Sequence, residues 1–494
     1  MNSFLDNLDN ATNWKYTENG AVTHDHTKSK VLDMFAMGGS YRNRSDADCI
    51  NLFINALEEN EALAMKCLFY LRDVRGGQGE RRFFRVCFKW LCDNNPEAAK
   101  RNLEYLSEYG RWDDLIYATA GTKLEDYALF LIKEQLVLDM ESKTPSLLAK
   151  WLPSENASSH KTRKMAIKVR TYLKMTHKEY RKALAELRKR INIVERLMSE
   201  NRWDEIEFDK IPSKAGLIYK NAFSRRDILK EKYTHFIKDE TTKVNASVLY
   251  PYDVAHRAFN CYDRDYNSVD RMAIQKYWDA LPDMYEGKQE NGLAIVDVSG
   301  SMSGQPLEVA VSLGAYIAER GHGPFANHFI TFSSRPQLVK FEGVDITDKL
   351  QRARNADWEM DTNLEAVFDM MLKIAKREDT KPEDIPERLY ILSDMEFNGC
   401  ISDFDDGWRN DTTEDKVETL LERIAKEWAA EGYKLPQVIF WNLDCRQNNI
   451  PALGGRFGYV SGFSPVILKN ILTGRDGYDL MLDKLLSERY AVIR

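Results

Sequence analysis

The feature that most limits the fold lies after residue 292, where short apolar, β-rich runs begin to alternate with helical periodicity. "LAIVDVS" precedes the helical stretch "PLEVAVSLGAYIAER"; "HFITFSS" and "QLVKF" precede a helix around "NLEAVFDMMLKIAK". "RLYILSD" leads to a helix near "KVETLLERIAKEWAAE", and "QVIFWNL", "GYVSG" and a closing helix pair complete the series. Strands this uniformly apolar have both faces covered, and strands separated by helices run parallel, so the pattern predicts a doubly wound, Rossmann-like sheet. The tight turn "FSSRPQ" makes "QLVKF" an antiparallel neighbour of the strand before it. In such sheets ligands bind beyond the carboxyl ends of the strands, and the first strand runs into "DVSGSMSG", residues 297–304, at that end.

Upstream of the polar joint "LPDMYEGKQENG" the signals from about residue 30 to 280 are helical, with no strands between. "INLFINALEENEALAMKCLFYLRDV" carries three-and-four spacing until "RGGQGERR", which reads as a helix–helix turn with basic flanks; "RRFFRVCFKWLCDN" resumes the pattern and stops before Pro96. In "KEYRKALAELRKRINIVERLMSEN", Leu184, Leu187, Ile191, Val194 and Met198 form one apolar stripe. Trp112, Trp151 and Trp203 read as core anchors. The expectation is an irregular α-helical array over residues 1–285 followed by an α/β domain over 286–494.

No run approaches the roughly 18 apolar residues of a membrane span, and "MNSFLDNLDNATNWK" lacks the basic start and apolar core of a secretion signal. Seven scattered cysteines fit reduced thiols, so the expected location is the cytoplasm; Cys87 and Cys92 read as packing residues rather than zinc ligands. Charge is uneven: residues 1–290 hold 47 Lys and Arg against 44 Asp and Glu, and residues 291–494 hold 23 against 33. Residues 151–250 hold 23 basic and 13 acidic side chains, which points to two surfaces with different partners.

Four chemistries compete for the serine-rich loop. A nucleophile elbow needs G-x-S-x-G, but Met302 stands at the nucleophile position between Gly300 and Gly304. A phosphate loop needs a lysine after its glycines, and none follows. A phosphoaspartate enzyme would carry a second acid where Ser299 stands. The fourth is a hard divalent cation: Asp297, Ser299 and Ser301 at alternate positions offer three oxygens, and Thr362 and Asp394 offer two more at later strand ends.

These five residues resemble the metal-ion-dependent adhesion site (MIDAS) of von Willebrand factor A domains, a resemblance that covers about residues 290–494. It implies a ligand-binding magnesium site, with calcium or manganese as alternatives, held by Asp297, Ser299, Ser301, Thr362 and Asp394. Hydroxyls are weak, neutral donors that leave the metal electrophilic, ready for a partner's acidic side chain. No general base is well placed, since His322 and His328 flank the start of the second strand, at the opposite end of the sheet; no enzymatic activity is expected. The segment 394–415 carries eight acids against Arg409 and reads as a solvated loop.

The helical part is similar to a looser group. "LFYLRDVRGGQGERRFFRV", "GRWDDLIYA" and "SLLAKWLPSENASSHKTRKMA" resemble the Ro autoantigen group, whose TROVE module is a ring of HEAT-like helices. They resemble more closely a domain-of-unknown-function family of plants, bacteria and large viruses, a likeness spanning most of residues 20–280. The Ro resemblance implies a ribonucleoprotein that binds structured noncoding RNA. Independently, Lys161, Arg163, Lys164, Lys168, Arg170 and Lys174 crowd a short span around Tyr172, a density that phosphate contacts would explain. Two readings follow: a non-enzymatic, Ro-like RNA-binding protein with a metal adhesion site for an acidic ligand, or a protein–protein scaffold that uses the metal site without RNA.

Overall fold

The computed structural model describes residues 13–191, 193–331, 335–355, 363–398, 420–451, 457–473 and 477–494. Its compact units interleave along the chain. One comprises the residues up to Ser45, Glu58–Asn60 and Leu249–Lys484; the other comprises Asp46–Leu57, Glu61–Val248 and Leu485–Arg494. Among the described residues no helix is long and apolar enough to cross a membrane.

The first unit is built on a six-stranded sheet of order β5-β4-β3-β6-β7-β8. Its strands are β3 (Gly292–Val296), β4 (His328–Thr331), β5 (Leu338–Lys340), β6 (Arg388–Ser393), β7 (Gln437–Asn442) and β8 (Phe457–Ser461). All neighbours are parallel except β4 and β5, which pair antiparallel as the short turn requires. Strands β3, β6 and β7 are almost wholly buried, the burial expected of strands covered on both faces. Ile295, Leu389, Ile391 and Phe440 pack there with Phe368 and Trp428 from two covering helices. Helix Gln305–Arg320 lies close on the sheet: a Cβ at Gly314 would stand 2.5 Å from Val296 Cγ2.

Two additions to this unit come from the chain before the joint. A hairpin of three-residue strands, β1 (Trp14–Tyr16) and β2 (Val22–His24), bridges Asn398 through Gly20 and Ile450 through His24. Helices Pro251–Phe259 and Val269–Asp279 pack on helices Gln305–Arg320 and Ile346–Arg354. Arg271 pairs with Asp345 at 2.6 Å, and Gln351 Nε2 donates to the carbonyls of Ala258 and Cys261. These contacts explain why residues before 285 belong with the sheet.

The second unit is helical throughout its described residues. Phe69, Phe84, Phe88 and Tyr109 meet edge to face or stacked at 5.3–6.2 Å around the turn 73–80. That turn depends on glycine: a Cβ at Gly77 would lie 2.0 Å from the Tyr70 carbonyl oxygen, and Gly79 has φ +71°. The buried Asp73 beside it accepts hydrogen bonds from Arg489 and from Tyr490 Oη, which fastens the C-terminal turn into this unit. The apolar stripe expected on one helix is split between His177–Arg190 and Val194–Ser199. The break shifts the register, so Leu197 is buried in place of Met198. Of the three tryptophans read as core anchors, Trp203 is buried, whereas Trp112 and Trp151 are half-buried.

Candidate cation site and basic helical surface

The ladder between β3 and β6 runs one residue past β3, because the Asp297 amide donates to the Leu392 carbonyl at 3.0 Å. Asp297 is thereby fixed at the carboxyl edge, wholly buried. Its Oδ1 accepts the Ser299 amide at 2.9 Å, closing a turn that sends the chain back toward the sheet, and its Oδ2 accepts the Ser393 hydroxyl at 2.5 Å. The turn Gly300–Met302 buries Met302 as a plug, and the Ser299 and Ser301 hydroxyl oxygens stand 2.8 Å apart. Gly304, at φ +92°, turns the chain into the helix that starts at Gln305.

Asp394 follows β6, next to β3 in the sheet, and is also fully buried. Its Oδ1 accepts the Glu396 amide at 3.3 Å, while its Oδ2 is buried without a hydrogen-bond partner. The nearest cationic atom is Arg446 Nε at 3.8 Å; the same guanidinium donates to the Ser301 carbonyl at 2.7 Å and lies 3.7 Å from Glu18. Burial, and then the Asp394 charge, push the Asp297 carboxyl up to about 6 from an ordinary 3.8. Burial also raises Asp394, opposed by the Ser301 hydroxyl, the Glu396 amide and Arg446.

Four of the five expected cation ligands therefore converge at the ends of two adjacent strands. Thr362 lies outside the described residues, as do residues 399–415 of the acidic segment. The donor set consists of two buried carboxylates and two hydroxyls, with one carboxylate oxygen unsatisfied, and it fits a hard divalent ion. Sequence reasoning missed Ser393, which was within reach as a hydroxyl beside Asp394, and Arg446, which had no local signal. The start of the acidic segment read as a solvated loop is instead buried, at Asp394 and Glu396. Glu396, buried, accepts the Glu18 amide at 2.7 Å and the Asn449 side chain at 2.9 Å, and so holds the β1–β2 turn at this edge.

In the helical unit the six expected RNA contacts divide. Helix His160–Tyr172 carries all of them but Lys174, which sits just beyond it at φ +56°. Arg163 donates to the Ala157 and Ser158 carbonyls at 2.7 Å, and Arg170 binds Glu155 and the Met175 carbonyl, so both fasten neighbouring loops. Lys168 pairs with Glu125 at 2.5 Å. Lys161, Lys164 and Lys174 are exposed and form no ion pair among the described residues. The following helix extends the surface with exposed Lys178, Arg181, Lys182 and Lys189; residues 160–190 hold twelve Lys and Arg against two Glu.

Residues 17–121 and 134–286 match the family described as Domain of unknown function (DUF2828), and residues 291–485 match a second, Domain of unknown function (DUF7788). An uncharacterized protein of Acanthamoeba polyphaga mimivirus is 30% identical over 508 residues, covering 94% of this chain and 85% of that protein. Among solved structures, the RO (RSR) protein of Deinococcus radiodurans is similar over 95% of each chain at a TM-score of 0.39 and 14% identity.

Proposed function

The chain belongs to the DUF2828 family, and on that premise we propose that it is a non-enzymatic binding protein with two recognition surfaces. One is a von Willebrand A-type cation site at the ends of β3 and β6. The other is the basic face of the helical unit, which binds RNA. The observation that carries the first is the buried, unpartnered Asp394 Oδ2 beside buried Asp297 and the paired Ser299 and Ser301 hydroxyls. A buried carboxylate oxygen without a donor is costly, and a cation offsets that cost.

Asp297, Ser299, Ser301 and Asp394 hold the ion in this reading, magnesium before calcium or manganese, with Thr362 as a further donor. Bound there, the ion offers an open coordination position to an acidic side chain of a partner protein. Ser393 and the Ser299 amide fix the Asp297 carboxylate in place, and buried Met302 anchors the loop that carries Ser299 and Ser301. The test is thermal unfolding of the full chain with millimolar magnesium and with chelator. Wild type should be stabilised and Asp297→Asn should not respond; an indifferent wild type removes the reading.

The RNA surface is supported by the excess of exposed lysine and arginine on residues 160–190. Binding should fall steeply with salt, because phosphate contacts release counterions. The comparison to make is anisotropy of a labelled single-stranded RNA with the full chain from about 50 to 200 mM salt. Negligible binding at the low end leaves the protein–protein scaffold as the function.

A further inference from the structure

The turn 73–80 and helix Trp112–Thr119 gather four arginines in the helical unit. Arg72 and Arg85 both reach Asp114, at 2.7 and 2.6 Å, while Arg85 and Arg111 both reach Asp113, at 3.0 and 2.5 Å. Two carboxylates thus serve three guanidinium groups. Arg81 is a fourth: it is exposed, and its side chain makes no ion pair or hydrogen bond among the described residues. Burial of part of its surface and the charges of Arg111, Arg85 and Arg72 push its pKa down, against the opposing charge of Asp113. Lys161 adds another cation, its Nζ 5.9 Å from the centre of the Tyr117 ring that Arg85 covers at 4.7 Å. Arg111 lies 3.9 Å over the half-buried Trp151 ring, with Lys150 at 5.6 Å.

Arg81 does nothing visible for the fold. It stands at the N-cap of helix Arg82–Asn94 without a side-chain capping bond. Four guanidiniums around two carboxylates leave an excess of positive charge that a further anion would offset, and forked donors of this kind match the oxygens of a phosphate group. We propose that Arg81, Arg85, Arg111 and Lys161 form a phosphate-binding site, separate from the outward lysines 164 and 174, that takes the phosphodiester backbone of RNA. The site rests on the RNA reading above and gives it a specific anchor. Asp113 and Asp114 position the guanidiniums of Arg85 and Arg111, and the Tyr117 and Trp151 rings brace them toward solvent.

The experiment uses the full chain, a labelled single-stranded RNA across a salt series, and tripolyphosphate followed by thermal shift. The variants are Arg81→Gln, Lys161→Gln and their combination, with Lys230→Gln combined with Lys238→Gln as a charge-matched control for the pair on a different helix. The double variant should bind RNA about tenfold more weakly and lose about 0.7 from the salt slope for each phosphate contact removed, while the control stays within about twofold. Replacing Arg81 relieves repulsion, so its ligand-free melting temperature should hold or rise, and weakened binding is then not lost fold. If wild type binds RNA and the double variant binds it equally, the site is wrong and the RNA reading survives. If tripolyphosphate stabilises wild type but not Arg81→Gln while RNA fails to bind, the phosphate site stands and RNA is not its ligand. No response to either ligand overturns both.

Discussion

Replacing Asp297 by asparagine should stabilise the metal-free protein, the opposite of what loss of a buried, doubly hydrogen-bonded side chain ordinarily does. A carboxyl whose pKa climbs from 3.8 to about 6 on folding costs the folded chain about 3 kcal/mol above pH 6. The sign follows from proton binding. Between those values the native state holds more protons than the unfolded chain, so stability falls as pH rises through the window, and the cost is complete above it. Asparagine removes the charge, its oxygen can keep the Ser299 amide, and its NH2 can face the Ser393 hydroxyl in the reverse sense. The metal-free variant at pH 7.5 should therefore exceed wild type by up to about 3 kcal/mol, a rise of at most roughly 5–10 °C in melting temperature for a unit of this size. Magnesium at about a hundredfold over its Kd should raise wild type by about 2.7 kcal/mol and leave the variant unmoved. That increment should vanish as pH falls below 6, where a proton competes for Asp297. Calorimetry in chelator and in magnesium at several pH values decides it. If metal-free Asp297→Asn melts well below metal-free wild type at pH 7.5, the buried charge is not the dominant cost and the argument fails.

Three further outcomes are expected. Tyr490→Phe removes the 2.9 Å bond to the buried Asp73 carboxylate and should cost about 1.5–3 kcal/mol in urea unfolding; Tyr490→Ala also loses the ring stacked on Tyr109 and should cost about 3–5 kcal/mol. Gly77→Ala places a Cβ 2.0 Å from the Tyr70 oxygen and should lower stability by more than about 2 kcal/mol, read as a lower melting temperature. Asp297→Asn should leave RNA affinity within about 1 kcal/mol of wild type by anisotropy; a larger shift would show that the cation site and the basic surface are coupled.

What was legible in the sequence is what repeats locally. Uniformly apolar strands alternating with helices encode the parallel core of the sheet, the short turn after β4 encodes the antiparallel β5, and the spacing of Asp297, Ser299 and Ser301 places three oxygens on one loop. That one helix ends at Arg190 and another starts at Val194 was hidden because Ile191 and Val194 keep the apolar spacing. Charge count was equally blind to geometry: Arg163 and Arg170 look like their neighbours Lys161 and Lys164, yet both are spent on loop carbonyls and on Glu155. Nothing near Trp14–His24 announces a hairpin, since strands of three residues are too short to show a period and theirs are held by Phe397, Glu396 and Ile450.

The same division runs through the candidate cation site. Its oxygens come from a loop and a strand end that announce themselves, but its electrostatics come from further along the chain. Arg446 approaches Asp394 from the segment after β7, and Glu18 approaches Arg446 from the hairpin turn that Glu396 holds in place. A guanidinium 3.8 Å from the unsatisfied Asp394 oxygen is too far to satisfy it with a hydrogen bond, yet close enough to lower its pKa. Arg446 therefore reduces the cost of the two buried acids without removing it. The remaining cost favours a cation of higher charge and smaller radius at the same oxygens, and Glu18, already drawn toward Arg446, tempers how strongly that guanidinium competes.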